Sequence, residues 1–227
     1  MITCIVGMSH VGSLARALKA RPRPAVTVIN VRQEKIDLFR DLPARQALVA
    51  RVGVVDVVGL ALEGNLHNVF ALLNDPQPFW MVGTPENGQF IPQEMMLAHL
   101  AERLQKTLLL GQVITGLFPN ARRILINPPP PAGDAEHIRR YPVIFADKIG
   151  LGVSPDALRL RMYDLQTEVF AAHARSLDAV FLPSPAAARD DTGKLAPCYW
   201  STDPTHGNAD YGQLVLDAIE ATMKEPA

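Results

Sequence analysis

Five short apolar runs, rich in β-branched residues, constrain this chain more than any other feature. They cover residues 2–6, 25–31, 54–62, 123–126 and 178–182. A strand with one wet face alternates apolar and polar residues; these show little alternation, as strands covered on both faces do. Helical patterns fall between them, over residues 11–20, 34–50 with a break at Pro43, 66–73, 92–118 and 156–174, with 208–223 closing the chain. The longest carries Met96, Leu100, Leu104, Leu108 and Ile114 at helical spacing. Pro155 precedes one helix, and Asn208 suits the N-cap of the last. Such alternation predicts an α/β fold, a three-layer α/β/α sandwich around a parallel sheet of about five strands. Sites in such sheets lie beyond the carboxyl ends of the strands.

At 227 residues the chain suits one domain spanning 1–227. Hydrophobic residues make up 48% and charged residues 20%, as in soluble globular proteins. The formal net charge is -1 and no basic block stands out, so a nucleic-acid partner is not expected. No stretch approaches the roughly 20 apolar residues of a membrane span. Residues 2–6 are too short for a secretory signal and lack preceding basic residues, so the cytoplasm is expected. A homo-oligomer is compatible with this composition. Cys4 falls in a predicted buried strand and reads as a core residue; with Cys198 it makes no disulfide scaffold. His99, His137 and His173 pair with no Cys, Asp or Glu at metal-ligand spacing, so neither metal nor other cofactor is expected.

Three segments interrupt the alternation, at residues 74–93, 128–152 and 184–207. The first two read as surface loops or as excursions that roof a site, and the third as an irregular stretch. Phe79, Trp80, Tyr199 and Trp200 lie in them as candidates for an apolar or sugar-stacking wall, or for core packing. Arg139 and Arg140 read as a solvated loop.

The chemistry concentrates at three turns. Gly7-Met8-Ser9-His10 follows the first run and puts Ser9 at the sheet edge, near the start of a helix. A serine hydroxyl needs a general base to attack. Asp203-Pro204-Thr205-His206, before the last helix, offers His206 as that base and Asp203 to orient its imidazole. Glu63-Gly64-Asn65-Leu66-His67-Asn68 follows the third run. Its Asn65 amide can donate to an oxyanion, with Asn68 as the alternative and Gly64 allowing close backbone approach. Asn65 would equally serve as a helix N-cap. His67 is a candidate pocket residue, and His10 either binds substrate or caps and packs locally.

In order and placement these blocks resemble the SGNH (GDSL-type) hydrolase superfamily. Its members carry a serine after the first strand, an asparagine block after the third and Asp-x-x-His before the last helix. The residues after the histidine, Gly207-Asn208-Ala209-Asp210-Tyr211-Gly212, are also similar. The resemblance implies a flavodoxin-like three-layer fold. It also implies hydrolysis of a small acyl or acetyl ester, on a carbohydrate or another small molecule, through an acyl-serine. The departures mark a divergent branch: Gly7-Met8-Ser9 stands for Gly-Asp-Ser, and the glycine beside Asn65 is shifted by one. For the separate oxyanion glycine Gly53 is the nearby candidate, too close to the third strand to fit well.

Two other readings compete. An acyltransferase or a non-catalytic protein of the same fold fits the altered blocks. A nucleotide-binding Rossmann-like protein is suggested by Gly7-Met8-Ser9-His10-Val11-Gly12. That match puts a serine where the dinucleotide fingerprint needs glycine, and Val31-Arg32 where it needs an acid.

Overall fold

A computed structural model describes residues 1–62, 64–81 and 88–224. Glu63 and part of the 74–93 excursion lie outside the described residues. In chain order the elements are β1 (Thr3–Gly7), α1 (Val11–Ala20), β2 (Val26–Asn30), α2 (Leu42–Val52), β3 (Val57–Ala61) and α3 (Leu66–Ala71). Then come β4 (Phe79–Trp80), β5 (Gln89–Phe90), α4 (Gln93–Leu117), β6 (Arg122–Ile126) and α5 (Ala135–Arg140). A 3-10 helix (Val143–Leu151), α6 (Asp156–Ser176), β7 (Val180–Leu182) and α7 (Ala209–Lys224) complete them.

The expected sheet is present: five parallel strands in the order β2-β1-β3-β6-β7. Chain order reverses at β1, which places a topological switch point there. This is the flavodoxin-like order, with its first strand second in the sheet. A Rossmann sheet runs 3-2-1-4-5-6, so the sheet lacks the dinucleotide-binding order of the Rossmann alternative.

The period-2 alternation of strand side chains divides the core. Cys4, Val6, Val58, Leu60 and Leu125 face one way, against Leu100, Leu104 and Ile114 of α4 and Met162, Val169 and Phe170 of α6. Ile5, Val57 and Ile124 face the other way, against α1 and α7. Cys4 is a buried core thiol, as expected, and burial pushes its pKa up to about 12. Only β1 and β3 are buried along their whole length. The edge strands β2 and β7 expose residues, Val180 being 40% exposed, which departs from the expectation that all five are covered.

Helix α2 starts eight residues later than the sequence pattern suggests. Lys35 has a φ of 56°, which an α-helix excludes, and Asp41 caps the true start by accepting from the Ala44 N–H at 2.9 Å. Pro43 sits in the first turn, where no amide proton is needed, and so begins the helix instead of breaking it. The 128–152 excursion holds α5 and the 3-10 helix. Residues 128–133 are all buried, so its opening prolines line the interior. Phe79 and Trp80 pair with Gln89 and Phe90 in a separate two-stranded sheet. Among the described residues no helix is long and apolar enough to cross a membrane.

Candidate active site

At the carboxyl edge, β1 leaves the sheet through Gly7. A Cβ there would stand 2.0 Å from the Ala61 carbonyl oxygen, so only glycine fits. The Met8 N–H donates to that same oxygen at 3.0 Å, which ties the serine turn to the end of β3. Close approach, and not a left-handed backbone, is what this glycine supplies. Ser9 follows, half-buried, two residues before α1.

The 184–207 stretch arrives from the other side. An isolated bridge pairs Trp200 with Gly207, and the Ser201 N–H donates to the His206 carbonyl at 3.1 Å. Arg16 of α1 donates to the Gly207 carbonyl at 2.9 Å and joins this loop to the serine side. Asn208 caps α7 as expected, accepting from the N–H groups of Asp210 and Tyr211 at 3.0 and 3.1 Å.

Within the loop, one oxygen of Asp203 gathers four donors. Its Oδ1 accepts from the Thr205 N–H at 2.8 Å, the Thr205 hydroxyl at 2.9 Å, the His206 N–H at 2.9 Å and His206 Nδ1 at 2.8 Å. Burial alone would raise the Asp203 pKa, but the His206 hydrogen bond and charge, with the Thr205 donors, hold it well below the usual carboxylate range. The bond fixes the His206 tautomer: Nδ1 carries the proton toward Asp203, and Nε2 keeps its lone pair. That Nε2 is buried and has no hydrogen-bond partner among the described residues, Ser9 included.

The residue in ring contact with His206 is His10, with centroids 4.9 Å apart. His10 is buried, and its side chain makes no capping bond to α1. The capping reading therefore gives way to packing, with Nε2 unpartnered. Burial, aided by His206 and His67 and opposed by Asp203, holds the His10 pKa well below its ordinary value, so the ring is neutral.

After β3, Gly64 is buried: an added Cβ would lie 2.7 Å from the Pro128 ring. Gly64 thus allows a close approach, as expected, and what approaches it in the fold is the Pro128 ring. Asn65 is half-buried and occupies the N-cap of α3 but makes no capping bond. Its Oδ1 instead accepts from Asn68 Nδ2 at 2.9 Å. His67, expected as a pocket residue, is 1% exposed and packs edge-on against Tyr163 at 5.3 Å. It stands behind Asn68, whose Nδ2 lies 2.9 Å from His67 Nε2. Gln166, in the middle of α6, pins this turn: it accepts from the His67 N–H at 3.0 Å and donates to the Gly64 carbonyl at 2.8 Å. No sequence pattern marks Gln166 for that task.

Gly53 is excluded as an oxyanion donor by topology. It ends α2 on the way into β3, at the amino edge of the sheet. The four aromatic candidates do not make one wall either. Phe79 packs on the core beneath α4 and α6, while Tyr199 and Trp200 pack on that beneath α1 and α7. Trp200 also meets the His137 ring, tilted, at 4.7 Å between centroids, and His137 Nε2 lies 3.5 Å from the Asp203 carbonyl. A groove of about 420 Å3 opens beside Met8, with Val31, Ile36 and Leu110 in its walls and Lys35 and Lys106 at its rim. Among the described residues no three His, Cys, Asp or Glu side chains are grouped so as to hold a metal.

No protein-family model matches the chain, and no curated protein matches it in sequence. Solved structures do match in fold. One is a Streptococcus pneumonia protein provisionally assigned as a platelet activating factor, 14% identical, with a TM-score of 0.51 over 97% of this chain and 83% of that one. A catalytic mutant of an acetylxylan esterase from Geobacillus stearothermophilus is 14% identical, with a TM-score of 0.47 over 99% and 94%. The periplasmic domain of a lipopolysaccharide acetyltransferase from Salmonella ser. Paratyphi A is 12% identical, with a TM-score of 0.49 over 98% and 84%. The Streptococcus pneumonia protein shares the three-layer α/β/α architecture with this chain.

Proposed function

We propose that this protein is a serine hydrolase that cleaves small acyl esters, acetyl esters among them, through an acyl-Ser9 intermediate. One observation carries the reading. Asp203 fixes the His206 tautomer through a 2.8 Å bond, which leaves Nε2 unpartnered beside the turn that bears Ser9.

In the reaction, Ser9 Oγ attacks the ester carbonyl carbon and its proton passes to His206 Nε2. The Asp203 carboxylate stabilises the imidazolium that forms. The tetrahedral oxyanion takes hydrogen bonds from the Ser9 N–H and the Asn65 amide. Collapse expels the alcohol, which His206 protonates. Water then repeats the sequence on the acyl-serine with the same base. The groove beside Met8 accepts the non-reacting part of the substrate.

The test is covalent labelling with a fluorophosphonate, followed by peptide mapping, together with hydrolysis of p-nitrophenyl acetate. Label on Ser9, and loss of hydrolysis in Ser9→Ala and His206→Ala, are expected. A folded protein that leaves Ser9 unlabelled, or a Ser9→Ala variant that still hydrolyses the ester, overturns the proposal.

A further inference from the structure

We propose that His67 and Asn68 form a buried relay that decides which end of the Asn65 amide faces the reacting serine. The inference rests on the hydrolase reading for its consequence, not for its geometry. Asn68 is 2% exposed, and its Nδ2 lies 2.9 Å from both Asn65 Oδ1 and His67 Nε2. An amide nitrogen has two protons and accepts nothing, so both neighbours must be acceptors. His67 Nε2 therefore presents its lone pair, and the ring proton sits on Nδ1. That Nδ1 is buried and makes no hydrogen bond among the described residues, so the Asn68 contact alone selects the tautomer. Burial brings the His67 pKa down to about 4, so at neutral pH the ring holds one proton only.

The consequence reaches Asn65. With its Oδ1 turned inward to Asn68, its NH2 is the end left for the site, and Asn65 Nδ2 has no partner among the described residues. The two ends of an amide have nearly the same shape, so only the network selects one. The opposite polarity is equally self-consistent. A proton on His67 Nε2 would require the Asn68 oxygen; that oxygen would draw in the Asn65 NH2, and the Asn65 oxygen would then face the oxyanion and repel it. The tautomer of a histidine that never meets substrate thus sets the sign of the oxyanion donor. Asn68 and His67 are positioning residues acting through Asn65.

The test compares Asn68→Asp, Asn68→Ala, Asn65→Ala and the double variant Asn65→Ala/Asn68→Asp in the full chain, with p-nitrophenyl acetate as probe. Aspartate in place of Asn68 can only accept, which forces the reversed polarity. Its kcat should fall about 100-fold, the cost of one oxyanion donor, with KM nearly unchanged. The double variant should be no slower than Asn65→Ala alone, whereas a merely structural role multiplies the two losses. An Asn68→Asp variant with native kcat, or losses that multiply, overturns the relay. Independently of any activity, 15N chemical shifts of wild-type His67 should show a protonated Nδ1 and an unprotonated Nε2, and the opposite tautomer overturns it. If hydrolysis proves independent of Ser9, the hydrolase reading fails, and the tautomer measurement still decides the relay.

Discussion

Replacing Asp203 separates two tasks that a triad carboxylate usually performs together. All four of its donors converge on Oδ1, and the backbone N–H groups of Thr205 and His206 are two of them. In Asp203→Asn the amide oxygen must take the Oδ1 position, because the NH2 end would meet those fixed donors. His206 Nδ1 then still donates to an oxygen, and the catalytic tautomer survives. Only the charge is lost. A hydrogen bond to a charged group contributes about 1.5–3 kcal/mol, and about 1.4 kcal/mol is tenfold in rate, so kcat/KM should fall about 10- to 150-fold. Asp203→Ala also strands two backbone donors and frees the ring, and its loss should reach about 1,000- to 10,000-fold. The assay is p-nitrophenyl acetate hydrolysis by both variants, with thermal melts to confirm folding. An Asn variant as slow as the Ala variant, or one as fast as wild type, refutes the argument that the tautomer is held by geometry and the transition state by charge.

Other consequences follow from burial. His10 and His67 have folded pKa values below 6.5, so the unfolded chain binds more protons as the solution is acidified. Their neutral forms therefore cost nothing above pH 6.5 and lose stability as the pH falls below it, by up to about 1.4 kcal/mol per pH unit for each ring. The thermal midpoint should drop between pH 6.5 and 4.5, and His10→Phe should flatten that drop; an unchanged slope argues against a neutral His10. Asp203 acts in a lower window. Its depressed folded pKa stabilises the protein above the unfolded value of 3.8 and loses that contribution as the pH falls further, so Asp203→Asn should be less acid-sensitive below pH 4 in the same melts. Two glycine substitutions should move stability in opposite directions. A Cβ on Gly212 would meet the Ser13 carbonyl oxygen at 2.2 Å and force α1 from α7, at about 1–3 kcal/mol, whereas Gly116→Ala, with open space on an exposed turn of α4, should stabilise by about 0.5–1 kcal/mol in urea unfolding.

The layering was legible because buried strands and long helices differ in length and period. All five apolar runs became strands of one sheet, and α1 spans residues 11–20 as the pattern predicts. The start of α2 was not, since a positive φ at Lys35 leaves no mark in composition. Pairing within Asp203-x-x-His206 was readable because three residues of separation close in one turn. The ring contact of His10 with His206, the inward turn of Asn65 and the hold of Gln166 on the Gly64 turn were not. Two of them join segments 196 and 102 residues apart, and the Asn65 contact, though as local as the Asp203 pair, depends on a side-chain direction that only packing fixes.

The three histidines near the serine turn differ in their fitness for the role of base that the proposed reaction needs. A general base must accept a proton and remain stable while it holds it. His10 and His67 sit where burial disfavours the charged ring, and neither has a carboxylate in hydrogen-bond contact. A proton on either is costly, so in the proposed reaction neither competes for the one that Ser9 would release. His206 alone of the three bonds a carboxylate, and that carboxylate stays ionised because its donors outweigh its burial. Keeping its nearest aromatic neighbour neutral matters as well. A charged His10 ring with its centroid 4.9 Å away would repel the imidazolium as it formed. Burial of His10 thus removes a like charge from the place where the proposed reaction develops a positive one, and Asp203 supplies the opposite charge.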